Sequence, residues 1–148
     1  MENVKVTVKG MYEEIFRRIN KVIPYLSVKD VEKEITNTQM MLNEVNLIFT
    51  NNHNLFYEEE FLIYEHYYAL AGGCIKFFVA FNRIKQTIDT HSGKDLSLLN
   101  SVIDELDSFI DELAKERIVK ERIENFLISS KATIEYYRVL VKESKHRL

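Results

Sequence analysis

Residues 28–50 read VKDVEKEITNTQMMLNEVNLIFT, and within them Val31, Ile35, Thr38, Leu42, Val45 and Phe49 recur at alternating spacings of four and three. That period places all six on one narrow stripe of an α-helix, the pattern that buries against a neighbour in a helical bundle. Ser27 followed by Asp30 resembles a capping box with Asp in place of the commoner Glu, so a helix is predicted over 28–50.

Working outward, Tyr12, Ile15, Ile19 and Val22 form a second helical stripe. Pro24, which offers no amide donor, ends it, so a helix is predicted over 11–23. Before it, Val4, Val6 and Val8 alternate with Lys5, Thr7 and Lys9, which is the period of a half-buried strand. Residues 1–9 are therefore expected as a short extended N-terminal arm, a place where a second subunit could pair. Downstream, Asn51, Asn52, His53 and Asn54 favour a turn, and Glu58 to Glu60 place negative charge near the start of the next helix. That helix is predicted over 55–88. It is apolar almost all round between Phe61 and Phe81, as expected of a central helix or one buried by oligomerisation. Gly72 and Gly73 each cost roughly 1 kcal/mol relative to Ala, yet a continuous helix is expected through them. Leu99, Val102, Leu106, Phe109 and Leu113 mark a helix over 96–113. The following stripe, Val119, Ile123, Phe126, Ser130, Ile134, Tyr137 and Val141, lies on another face, so a break near residues 114–118 and a fifth helix over 118–145 are predicted.

Four Gly and one Pro in 148 residues are few for the turns of a sheet protein, while 46% hydrophobic residues suffice for a sizeable core. The chain is accordingly expected to be all-α: a single-domain bundle of four to five helices with a short extended N-terminal arm. One cysteine, Cys74, rules out an intramolecular disulfide and a zinc site of several thiolates, and a reducing cytoplasm is the expected setting. MENVKVTVKG lacks the charged-then-apolar order of a secretory leader. The apolar window 61–81 contains Glu65, His66 and Lys76, so it reads as a core helix and no membrane partner is expected.

Candidate chemistry is sparse. Leu62, His66, Ala69, Gly73, Lys76, Ala80 and Arg83 follow at helical spacing and share one face. Close helix packing explains that face. As a ligand site it would be a cationic groove for an acidic ligand, with His66, Lys76 and Arg83 as its charges and Gly73 permitting close approach. Phe56, Tyr57, Phe61, Tyr64, Tyr67 and Tyr68 could line a pocket for a planar ligand, although core packing accounts for them too. Glu143 and His146 alone have the Glu-x-x-His spacing of a di-metal bundle, so neither metal nor cofactor is expected. Cys74 has no His at short spacing, and Ser92-Gly93-Lys94 lacks the earlier glycine of a phosphate loop. No catalytic residue is assigned.

Net charge is −3, but residues 95–114 carry −6 with no Lys or Arg, and residues 115–148 carry nine basic and five acidic groups. Opposite signs on successive helices are expected to attract and partly neutralise each other. The cations are scattered round helix 5, so nucleic acid is disfavoured as a partner. Arg83 and His91, or Arg138 and His146, lie slightly farther apart than the Arg–His pair of one nuclease family of helical bundles, and no resemblance is drawn. The expected function is a noncatalytic interaction or scaffold protein acting as a homodimer or with another protein. The alternatives are a small-ligand-binding bundle and an RNA-directed enzyme.

Overall fold

A computed structural model describes residues 2–21, 28–90, 99–116 and 121–146. Pro24, Ser27, His91, the Ser92-Gly93-Lys94 turn and Val119 lie outside the described residues, as do the side chains of Lys145 and His146. Within them five α-helices follow in order: α1 (Glu2–Lys21), α2 (Val28–Asn51), α3 (Glu58–Thr90), α4 (Leu99–Ala114) and α5 (Glu124–His146). A short 3-10 turn, His53–Leu55, joins α2 to α3. The fold is an all-α bundle, and no helix among the described residues is long and apolar enough to cross a membrane.

The extended arm is corrected. Residues 2–9 are the first turns of α1, not an extended segment. Val4 and Val8 stand four apart and continue the stripe of Tyr12, Ile15 and Ile19, while Val6, which a strand would place beside them, is 69% exposed. Branched valines weaken a helix by about 0.5 kcal/mol each, whereas full burial of Val8 returns about 1.5–3 kcal/mol, so the longer stripe prevails.

At the α2–α3 corner the Asn-rich turn forms as expected. Asn52 Nδ2 donates to Ile48 O at 2.8 Å, closing the end of α2. Glu60, in the first turn of α3, accepts from the amide of Tyr57 at 2.8 Å, the returning half of a capping box, so α3 starts at Glu58 rather than 55. Phe49, Phe56, Phe61 and Tyr64 fill the corner, with ring centroids 4.8–5.7 Å apart. Helix α3 then runs without a break through Gly72 and Gly73. A Cβ at Gly72 would meet nothing within 4 Å, and one at Gly73 would touch only Phe109 at 3.7 Å.

Helix α1 packs on α2 and α3, α2 on α3, and α5 on α1, α3 and α4. Phe77, Phe78 and Phe126 form the α3–α5 contact, with centroids 5.2–5.6 Å apart from Phe126. Tyr137 donates its hydroxyl to Phe81 O at 3.3 Å. The break between α4 and α5 is real: α4 ends at Ala114, and after a bend at Ile123, α5 begins at Glu124.

The charge asymmetry resolves between these two helices. Lys131 reaches Asp107 and Asp111, and Arg138 reaches Asp104 at 2.7 Å and Asp107 at 3.1 Å. Lys131, then Arg138, holds the Asp107 carboxyl below its ordinary range. A carboxyl that ionises more readily folded than unfolded contributes fully above about pH 4 and progressively less below it. Asp107→Asn should therefore destabilise the chain by about 1 kcal/mol at pH 7, with the difference from wild type shrinking toward pH 3 in urea titrations. A difference independent of pH would show that the pairing contributes nothing.

Candidate functional site

The predicted cationic face of α3 exists as a face but does not close into a site. His66 and Lys76 are exposed, Gly73 is half-buried beside Phe109, and Arg83 is exposed. At 1.5 Å per residue, His66 and Arg83 stand about 25 Å apart along the helix. Arg83 lines a groove of about 270 Å³ between α2 and α3 with Glu32, Asn82 and Gln86. Glu32 accepts from Asn82 and Gln86 there, both at 3.3 Å, so an acidic ligand would meet a carboxylate.

A better formed pocket, about 280 Å³, lies where α1, α3 and the segment leading into α5 meet. Tyr12 and Phe16 come from successive turns of α1, and Ile63, Tyr64 and Tyr67 from α3. Tyr12 stacks on Tyr64 with centroids 5.6 Å apart and leans on Tyr67 at 5.7 Å; Phe16 meets Tyr67 edge-on at 5.4 Å. The rings assemble because the inner stripes of both helices turn aromatic at the same level. Tyr12 is 1% exposed, and its hydroxyl has no hydrogen-bond partner among the described residues. Such an orphaned buried group costs about 1–3 kcal/mol. Burial pushes the Tyr12 phenol well above its ordinary range; burial, then the nearby Glu60 charge, raises that of Tyr64.

Four ionisable side chains edge the pocket: Lys9, Glu13, Glu60 and Arg122. Lys5 donates to Glu60 at 2.8 Å and, with the Tyr57 amide, holds that carboxyl below its usual range. The Lys5 ammonium also sits 4.1 Å from the Tyr57 ring centroid. Arg122 lies over Tyr67, its guanidinium carbon 5.1 Å from the ring centroid.

Arg122 is placed there by Asn20. The Asn20 amide donates to Arg122 O at 2.8 Å, and its carbonyl accepts from the amide of Phe126 at 3.1 Å, capping the first turn of α5 from the far end of α1.

Of the aromatics singled out in the sequence, Tyr64 and Tyr67 line this pocket, whereas Phe56 and Phe61 belong to the α2–α3 corner. Tyr57 and Tyr68 are exposed. Tyr12, Phe16 and Lys9 escaped sequence reasoning, although Tyr12 and Phe16 stand at helical i, i+4 spacing. Nothing local could have joined Arg122 to Tyr67, 55 positions away. Cys74 is fully buried, and burial pushes its thiol up to about 12, so it stays protonated. Among the described residues no group of three metal-binding side chains gathers. Arg138, one of the spaced Arg–His candidates, is held by Asp104 and Asp107.

Asn20→Ala removes the donor and the acceptor together and should cost about 1–2 kcal/mol in urea unfolding, with Asn20→Asp recovering part of the loss because it keeps the acceptor. Equal stability of all three proteins would mean that the bridge does not hold α5 in place.

A scan of protein-family models and searches of curated proteins and of solved structures found no match to this chain.

Proposed function

We propose that this chain acts noncatalytically, by binding, and that the pocket between α1, α3 and the start of α5 takes a small planar molecule. One observation carries the reading: a pocket of about 280 Å³ opens over a cluster of aromatic rings, Tyr12, Phe16, Tyr64 and Tyr67, with four ionisable side chains at its edge. Stacking surfaces and a few polar groups at the edge are the usual make-up of a ligand pocket. The ionisable groups support binding over proton transfer. Burial holds Tyr12 and Tyr64 as neutral phenols and Lys5 holds Glu60 as a carboxylate, so each keeps one protonation state near pH 7.

Ile63, 47% exposed at the pocket, allows a test that spares the core. At a hundredfold excess over Kd an aromatic fragment should add about 2.7 kcal/mol and raise Tm by about 5–10 °C. Ile63→Trp, which fills the pocket with its own ring, should abolish that rise. Persistence of the full shift in Ile63→Trp, or no shift with any planar aromatic fragment, overturns the reading.

A second reading, self-association as a homodimer, draws on α5. Ile128 and Val139 are 63% and 52% exposed and, with Ala132, lie on the face opposite the buried Phe126, Ser130, Ile134, Tyr137 and Val141, a row interrupted by the exposed Glu135. Light scattering should then report a dimer that Ile128→Glu with Val139→Glu converts to monomer. A monomeric wild type at about 100 µM, well above the micromolar Kd of a modest interface, removes this reading.

A further inference from the structure

The walls and the edge of the pocket differ in chemistry, and the charge around the edge is not balanced. Of the four charges at the edge, Glu60 is already taken by Lys5 and by the Tyr57 amide. The four lining charges are two cations and two carboxylates, and Lys5, paired with Glu60, brings the neighbourhood to one positive charge in excess. Arg122 lies with its planar group over Tyr67 and makes no ion pair among the described residues. A guanidinium stacked in this way still presents N–H donors along its edge, in the spacing that suits a carboxylate.

We infer that the pocket takes a planar aromatic carboxylate, its ring seated against Ile63 and the half-buried Tyr67, above the buried Tyr12, Phe16 and Tyr64, and its carboxylate on Arg122. This rests on the binding reading above and adds the charge of the ligand. Size agrees: about 280 Å³ is close to twice the ~150 Å³ apolar cavity that admits benzene, enough for a fused bicyclic ring bearing one carboxylate. A cation of the same shape, which an aromatic cage would otherwise favour, finds Arg122 already over the Tyr67 face. Asn20 acts as a positioning residue, because it fixes the backbone from which Arg122 reaches the ring.

Titration calorimetry of the full chain with 2-naphthoate, 2-naphthamide and 2-naphthylmethylammonium separates the possibilities. The acid should bind at least about tenfold tighter than the amide, in keeping with a charge-assisted hydrogen bond, and the ammonium should bind weakest. In Arg122→Ala the acid should fall to the affinity of the amide while the amide itself is unchanged, which also shows that the pocket is still folded. Arg122→Lys should keep part of the preference. Equal binding of acid and amide, an acid preference surviving in Arg122→Ala, or tightest binding of the ammonium overturns the carboxylate assignment and leaves the pocket standing. Failure of all three probes to bind overturns the pocket reading and this inference with it.

Discussion

Burial of the long aromatic helix α3 is the constraint on which the rest of the structure depends. At 33 residues it is about 50 Å long, more than either α1 or α2 alone can cover. Tyr64, Leu70, Cys74, Phe77, Phe78, Phe81 and Ile84 are all buried along it, on more than one side. Several partners are therefore needed: α1 covers the first half, α2 runs along both, from Phe49 beside Phe61 and Tyr64 to Glu32 beside Asn82 and Gln86, and α5 with the Phe109 ring of α4 reaches the second. Each buried aromatic contributes about 1.5–3 kcal/mol, so leaving either half bare would forfeit much of the net stability of a chain this size.

Dividing the cover of α3 in this way explains where the pocket lies. Helix α1 meets the first half of α3 through Tyr12 and Phe16, and α5 enters only past Arg122 and Ile123, so the three elements diverge beside Tyr64 and Tyr67. Bulky rings cannot interdigitate fully at such a junction, and space remains between them. Asn20 spans the same junction with two hydrogen bonds, tying the end of α1 to the start of α5. The geometry of the pocket and the docking of α5 thus share one side chain.

Helix type and the inner faces of α2 and α5 were legible because they are written in local spacing. The α2 stripe from Val31 to Phe49, with Ile35 half-buried, and the stripe from Ile123 through α5 to Val141 are the buried positions, even at Thr38 and Ser130, whose hydroxyls have no hydrogen-bond partner among the described residues. The attraction of the acidic helix for the basic one was legible as well, since it needs only the signs of the two segments. Val4, Val6 and Val8 misled because five residues fit either period, and only burial of Val8 against the rest of the bundle decides between them. The face of His66, Lys76 and Arg83 was real as a row on a helix, but a row about 25 Å long converges on nothing.

The amino-acid order by itself determined five helical segments and the inward side of α2 and α5, because a repeat of 3.6 residues is set by neighbours three and four positions away, whereas in α4 the expected Val102 and Phe109 are exposed and Ile103 and Ile110 are buried instead. It also determined that Cys74 would be an interior thiol. Tertiary structure alone decided that Tyr12 meets Tyr64, that Arg122 covers Tyr67 and that Asn20 caps a helix about a hundred positions downstream. These pairings depend on the angles and heights at which helices pack, quantities that arise from the summed burial of the whole core and leave no trace in the spacing of any one segment.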